Sequence, residues 1–155
     1  MTMTMTMTLQ PLMVVQVELL PIVSAGATPS GELRVVPFVS GTFEGPGLRG
    51  TLLPGGTDWQ RVRSDGVLEI SAHYLLETEQ GERIEVISQG LRYAPPAVMA
   101  RLSAGELVPR DEYYFRTGIR LTTAAPRLER LNRILVVSVG ERTKSAVRLE
   151  LFEVP

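Results

Sequence analysis

Two carboxylates and the single tryptophan of the chain lie in a segment that is rich in glycine and proline. Glu44, Asp58 and Trp59 fall among eight glycines and prolines between residues 41 and 59. Ordering such a segment as a loop costs much conformational entropy, which favours a functional role for it. Burial against an aromatic ring raises the pKa of a carboxyl group and makes it a better general base. The sequence therefore predicts that Glu44 and Asp58 are catalytic, with a solvated Glu44 and a turn-capping Asp58 as the alternatives.

A second segment offers a cation to these carboxylates. In the run Tyr113–Arg120, alternation places Tyr114, Arg116 and Arg120 on one strand face. A guanidinium inside a barrel needs a carboxylate partner, and it stabilises a carboxylate, enolate or phenolate oxygen. We predict that Glu44, Asp58 and Arg116 form one polar cluster at one end of the fold; a purely structural ion pair is the alternative.

Four further side chains are predicted to bind a ligand. They are aromatic or amide groups beside the acidic segment, at a strand end, or flanked by apolar residues: Trp59, Tyr93, Tyr114 and Asn132. Such groups supply the few polar and aromatic contacts that orient a ligand in an apolar pocket.

The remaining chemical motifs are weaker. Gly45–Gly50 spells G-x-G-x-x-G, but a β-type run follows where a dinucleotide site requires a helix. His73, the only histidine, shares strand parity with charged neighbours, which predicts a surface position. Lys144, the only lysine, lies in a polar turn, whereas a Schiff-base lysine needs a desolvated pocket. With no cysteine and one histidine, the chain offers no metal-ligand spacing, and we expect neither a metal nor a cofactor.

Length and charge limit the partners. The 155 residues suit one domain, with a flexible Met-Thr segment at 1–10 and a single domain at 11–155. A net charge of −1 provides no field for nucleic acid or an anionic membrane. No apolar run approaches the roughly 20 residues that span a bilayer. We expect a cytoplasmic protein with a small-molecule partner, and the arginine bias suggests a GC-rich bacterial source.

Strand-forming runs recur at short intervals between turn signals, which is typical of an antiparallel sheet. About eight such strands either form a sandwich or close into a barrel, whose interior holds side chains or one small ligand. One short helix is predicted at Pro95–Ala104, and Arg127–Leu131 is a further helical turn or an irregular link. We predict an all-β fold, a closed antiparallel β-barrel of about eight strands with one short α-helix. The predicted strands are Leu12–Leu20, Leu33–Ser40, Leu48–Leu53, Trp59–Arg63, Val67–Glu77, Arg83–Gly90, Tyr113–Thr122, Ile134–Val139 and Val147–Val154.

Several motifs in fixed order resemble one known family. They are G-T-F-E-G-P-G-L-R-G from residue 41, L-P-G-G-T-D-W from 53, Y-Y-F-R-T from 113 and L-N-R-I-L-V-V-S-V-G-E-R from 131. The chain resembles the domain of unknown function 3237, also called uncharacterised protein family 0311, from about Leu12 to its C-terminus. The resemblance implies an oligomeric closed barrel similar to allene oxide cyclase and lipocalin-like barrels, without an established activity. Ser88 departs from the family pattern, in which asparagine is expected.

Three functions remain open at this point. The first is cofactor-free acid–base isomerisation, cyclisation or elimination on a small apolar carbonyl compound. The second is a non-catalytic module that binds such a ligand, and the third is a structural barrel whose lumen is filled by its own side chains. We also expect a homo-oligomer, a C2 dimer, because a barrel with a mixed lumen must place apolar side chains outside.

Overall fold

The computed structural model describes residues 2–143 and 145–155, so the predicted turn position of Lys144 lies outside the described residues. Residues 2–9 contain no helix or strand. The chain then forms, in order, β1 (Gln10–Leu19), β2 (Val23–Thr28), β3 (Gly31–Gly45), β4 (Leu48–Leu52), β5 (Thr57–Val62), β6 (Leu68–Thr78), β7 (Arg83–Tyr93), α1 (Pro96–Ser103), a 3-10 helix (Arg110–Glu112), β8 (Tyr114–Thr123), a second 3-10 helix (Pro126–Arg133), β9 (Leu135–Arg142) and β10 (Ala146–Val154).

The sheet closes into an antiparallel barrel, as predicted. Around the ring, β1 is followed by β10, β9, β8, β7 and β6, and β1 also pairs with β3. The strands β4 and β5 both lie between β3 and β6, so they form one interrupted position of an eight-stranded wall. Closure is visible at Val15, which is paired with Leu149 on one side and with Phe43 on the other.

The prediction of a loop across residues 41–59 is wrong for most of that segment. Gly41–Gly45 ends β3, and Leu48–Leu52 is β4, which confirms the strand predicted at Leu48–Leu53. Only short turns at 46–47 and 53–56 are irregular. Packing between neighbouring strands explains the glycines at two of these positions. A Cβ atom on Gly50 would overlap the backbone carbonyl of Glu77 on β6, and one on Gly45 would overlap that of Leu12 on β1. The glycine-rich composition therefore indicates close contact between strands.

Several strands run further than the sequence predicts. The strand β3 begins at Gly31 and continues to Gly45. Its first residues, Gly31–Val35, pair with the unpredicted β2, whose small residues have little β propensity of their own. At the other side of the barrel, β7 extends beyond Gly90 to Tyr93, and β9 extends beyond Val139 to Arg142. These extensions carry two arginines into the interior, as described below.

The two ends of the barrel are covered differently. The second 3-10 helix covers one end, where Leu128 and Leu131 are buried. The predicted short helix is confirmed as α1, which connects β7 to β8 at the other end and buries Leu102. We call this second end the α1 end. Among the described residues, the helices are too short and too polar to cross a bilayer.

Candidate functional site

The lumen contains a largely enclosed cavity toward the α1 end. The centre of a water-sized sphere can occupy about 50 Å³ of it, and the empty space including the mouth is about 630 Å³. This is room for a handful of water molecules or one ligand of similar size. Most of the lining is apolar, and the polar lining side chains are Asp58, Gln60, Tyr74, Ser88, Arg92, Thr117 and Arg142.

Asp58 is held in the wall of this cavity by hydrogen bonds to both carboxylate oxygens. It lies at the start of β5, directly after the 53–56 turn, and its side chain faces inward. The backbone N–H of Ser71 donates to Oδ1 at 3.0 Å, and the amide Nε2 of Gln60 donates to Oδ2 at 2.8 Å. Gln60 is oriented in turn by Arg34, whose Nη2 donates to Oε1 of Gln60 at 3.2 Å. The carboxylate therefore has a fixed orientation.

Burial changes the acidity of this carboxylate. Desolvation raises the pKa of Asp58 from 3.8 to about 6, against the opposing effects of the two hydrogen bonds and of the Arg92 and Arg34 charges. A carboxyl group with a pKa near 6 is ionised at neutral pH and is a stronger base than an ordinary aspartate. Perturbed groups of this kind in a cavity are candidates for proton transfer.

Tyr74 presents a hydroxyl group without a hydrogen-bond partner among the described residues. Its side chain comes from β6, is buried, and packs edge to face against Phe38 with ring centroids 5.5 Å apart. The hydroxyl is inaccessible to bulk water and makes no hydrogen bond. Burial, with a smaller effect of the Asp58 charge, raises the pKa of Tyr74, so the phenol keeps its proton. A buried donor left unpaired is costly, and a ligand oxygen would satisfy it.

Arg92 and Arg142 add positive charge at the α1 end of the cavity. Arg92 is 3% exposed, and its guanidinium lies 6.0 Å from the centre of the Phe115 ring. Burial, followed by the charges of Arg142 and Arg34, lowers the pKa of Arg92 to about 10, which leaves it protonated at neutral pH. Burial likewise lowers the pKa of Arg142, and the nearby Arg34 charge adds to this.

Small hydroxyl groups line the cavity on β7 and β8. Thr117 and Ser138 are hydrogen-bonded to each other across β8 and β9, and both are buried. Ser88, the position where the family pattern predicts asparagine, is 2% exposed and lines the cavity. The departure therefore falls inside the lumen, where the smaller side chain leaves more space.

Of the three residues predicted to be catalytic, only Asp58 reaches the lumen. Glu44 is exposed on β3 because its neighbour Phe43 takes the inward position. Arg116 faces outward, where its Nη1 donates to the Phe115 carbonyl at 3.0 Å and its guanidinium lies 5.3 Å from the Tyr114 ring. The structure therefore does not bring Glu44 and Arg116 to Asp58, because the barrel encloses the apolar face of β8 rather than the mixed face.

The predicted ligand-binding side chains also lie outside the lumen. Trp59, Tyr93 and Tyr114 are 54%, 47% and 53% exposed on the outer surface. Asn132 fixes the end of β8, since its Oδ1 accepts from the Thr123 N–H at 2.7 Å and its Nδ2 donates to the Thr123 carbonyl at 2.9 Å. The Asn132 side chain therefore binds the backbone at the end of β8.

His73 lies on the surface, as strand parity predicts. Its side chain is 64% exposed, and Nε2 lies 2.9 Å from Glu85. In the part of the chain that the structure describes, no group of three potential metal ligands comes together.

The fold and the cavity place the chain in the class of small, closed antiparallel β-barrel proteins. The model of one family, described as protein of unknown function (DUF3237), matches residues 7–154, and the chain belongs to that family. A UPF0311 protein of Rhodopseudomonas palustris is 32% identical over 133 residues, which cover 86% of this chain and 87% of that protein.

Solved structures extend this similarity to the whole fold. The crystal structure of the Rhodopseudomonas palustris protein, of unknown function, has a TM-score of 0.92 and 29% identity and covers 99% of this chain and 100% of that one. A β-barrel-like protein of Acinetobacter baumannii has a TM-score of 0.85 and 31% identity, with both chains fully covered. An enzyme from Penicillium herquei has a TM-score of 0.75 over 99% of this chain and 98% of that one, but at 18% identity it shares the fold alone.

Proposed function

We propose that the lumen is a cofactor-free acid–base site that moves a proton on a small apolar carbonyl compound. One observation carries this proposal: a buried carboxylate of raised pKa and an unpartnered buried phenol line the same apolar cavity. A base and a neutral hydrogen-bond donor in a dry site are the two groups that enolate chemistry needs.

The proposed step begins at the carbon next to the ligand carbonyl. Asp58 takes a proton from that carbon, and the electron pair of the C–H bond moves to form an enolate. The Tyr74 hydroxyl donates a hydrogen bond to the enolate oxygen, where negative charge develops. If the ligand is β,γ-unsaturated, the enolate is a dienolate, and return of the proton from Asp58 to the γ carbon gives isomerisation. If the β carbon carries a leaving group, its departure with the bonding electron pair gives elimination.

The surrounding residues support each role. Ser71 and Gln60 each occupy one lone pair of an Asp58 oxygen, and since each carboxylate oxygen can accept two hydrogen bonds, both oxygens of this cavity-lining residue keep a free acceptor site. The mostly apolar walls lower the local dielectric constant, which strengthens electrostatic interactions inside the cavity. The cavity itself argues against the structural alternative of a filled lumen.

A non-catalytic binding module is the second candidate. It is favoured by the fact that both Asp58 oxygens already accept hydrogen bonds from the protein, as in a carboxylate that only fixes its strand. The same cavity would then bind the ligand without turnover.

Hydrogen–deuterium exchange on 2-indanone distinguishes the two candidates. This ketone has an apolar ring and acidic hydrogens beside one carbonyl, and proton NMR in deuterium oxide follows their loss. We expect the protein to exchange them faster than acetate at equal concentration, because acetate is a carboxylate base in water with an ordinary pKa. Exchange no faster than with acetate would remove the acid–base function and leave the binding module.

A homodimer through the outer face of the barrel is also part of the proposal. Trp59 and Leu91 are exposed in one outer groove that also contains Arg61 and Glu69. A copy related by a two-fold axis can pair these opposite charges around the apolar centre. We expect light scattering to give twice the 17.1 kDa chain mass for the wild type and the chain mass for Trp59→Asp. A wild-type monomer at micromolar concentration contradicts the dimer.

A further inference from the structure

Two cations in the lumen have no role in the proton transfer described above. Arg92 and Arg142 line the cavity at the α1 end, beyond Asp58 and Tyr74. Within the described residues, neither guanidinium has a carboxylate oxygen within 4.0 Å. The Nε atom of Arg92 is buried and has no hydrogen-bond partner in the described chain. Burying a guanidinium without a partner costs folding free energy, and a bound anion would offset that cost.

The charges around the cavity leave one positive charge in excess. The cavity lining holds two guanidinium groups and one carboxylate, that of Asp58. Arg34 is not among the lining residues and lies at the rim; burial lowers its pKa, and the charge of Glu32 on the same strand is the largest opposing effect. These two rim charges offset each other. A ligand with one negative charge therefore neutralises the lumen.

The two arginines are also oriented before a ligand binds. The Phe115 ring under Arg92 is fixed against Gly140, where a Cβ atom would come within 2.6 Å of the ring. The Arg142 Nη1 donates to the Ala146 carbonyl at 3.3 Å, and its backbone N–H donates to the Tyr113 hydroxyl at 2.9 Å. Oriented guanidinium groups recognise a carboxylate by paired hydrogen bonds at little entropic cost.

We propose that the lumen binds a small monocarboxylate with an apolar body, whose carboxylate lies against Arg92 and Arg142 at the α1 end. The apolar body then extends along the cavity toward Asp58 and Tyr74. The position of the reacting carbon rests on the proposed function, whereas binding of the anion does not require turnover. The substrate class that follows is a small carboxylic acid carrying an enolisable carbonyl group.

Isothermal titration with benzoate and benzamide tests the anion site, because the two molecules share a ring and a size but differ in charge. We expect the wild type to bind benzoate at least tenfold more tightly than benzamide. Arg92→Met and Arg142→Met should each weaken benzoate by roughly 10- to 100-fold, the usual effect of losing a charge-assisted hydrogen bond. Benzamide affinity should not change in either variant.

Arg120→Met is the matched control, because Arg120 is exposed on the outer face of β8. It should bind benzoate as the wild type does. Arg92→Met removes a buried atom without a partner and relieves a desolvation cost, and Arg142→Met removes a single long hydrogen bond, so both lumen variants should fold. Arg92→Lys provides a charged variant of similar length. The comparison of the two ligands on the wild type requires no variant at all.

Two results would overturn the inference: benzoate that binds no better than benzamide, or lumen variants that behave like Arg120→Met. Failure of the proposed chemistry gives a different pattern. If 2-indanone is not exchanged but benzoate binding depends on Arg92, the anion site stands without the acid–base function. Asp58→Asn separates the two further, since it should abolish exchange and strengthen benzoate binding by removing a like charge.

Discussion

Asp58→Asn is expected to slow the exchange of 2-indanone hydrogens by about 100- to 10,000-fold, the usual contribution of a positioned general base. The amide has nearly the same shape but cannot accept the proton. In the wild type the rate should rise with pH and level off above about 6, the pKa of Asp58, because only the ionised form acts as a base. Asp111→Asn makes the same change at an exposed site and should leave the rate unchanged. An Asp58→Asn protein that keeps its exchange rate excludes Asp58 as the base.

The same variant has a pH-dependent effect on stability. The folded protein holds the Asp58 proton more tightly than the unfolded chain, since the pKa rises from 3.8 to about 6 on folding. The free energy of unfolding of the wild type therefore falls as pH rises through this interval, by about 3 kcal/mol for this group. Asparagine does not ionise, so Asp58→Asn should gain most of that amount, about 2.5 kcal/mol, relative to the wild type between pH 4 and pH 8. Urea denaturation at the two pH values measures the difference, and a constant difference contradicts the burial of an ionised carboxylate.

Tyr74→Phe is expected to slow exchange by about 100- to 1,000-fold, which is typical for the loss of one donor to an oxyanion. Stability should be unchanged or should rise by about 1 kcal/mol, because the hydroxyl that is removed is buried and unpaired. The edge-to-face contact with Phe38 is kept by the phenylalanine ring. NMR exchange rates and denaturant unfolding of the same preparation give both quantities.

Tyr113→Phe makes the same chemical change with the opposite effect on stability. The Tyr113 hydroxyl accepts the Arg142 backbone N–H at 2.9 Å, and its removal leaves that donor unpaired. We expect Tyr113→Phe to lose about 1–2 kcal/mol of stability and to keep the 2-indanone exchange that Tyr74→Phe is expected to lose. A Tyr74→Phe variant that exchanges at the wild-type rate would show that the enolate oxygen lies elsewhere.

The fold could be predicted because its signals are local. Alternation along β6 placed Tyr74 inward and His73 outward, and proline before and glycine after α1 marked its ends. The family motifs then supported closure of the sheet. The strand β2 was missed because its pairing is imposed by β3 and not by its own residues.

The site was harder to predict, since it depends on where strands end and on which face the barrel encloses. In β7, every second side chain from Ile84 through Ser88 points inward. This alternation reaches Arg92 only if the strand runs past Gly90, and a glycine at that position suggests from sequence that the strand ends there. Arg142 was missed for the same reason at the end of β9. The prediction of Asp58 rested on its place beside a turn, and the structure places its side chain at the cavity. The prediction of Arg116 assumed that the lumen encloses the mixed face of β8.

The pairing of β1 with both β3 and β10 has a consequence for synthesis of the protein. The first strand of the chain meets the last one, so the ring joins residues far apart in sequence, and such contacts form slowly. On the ribosome, the sheet remains open along β1 and β9 until β10 emerges, and open edges can pair with other chains. Leu149 and Val147 of β10 complete the cavity wall. A nascent chain therefore has no closed lumen until β10 has left the ribosome and paired with β1 and β9.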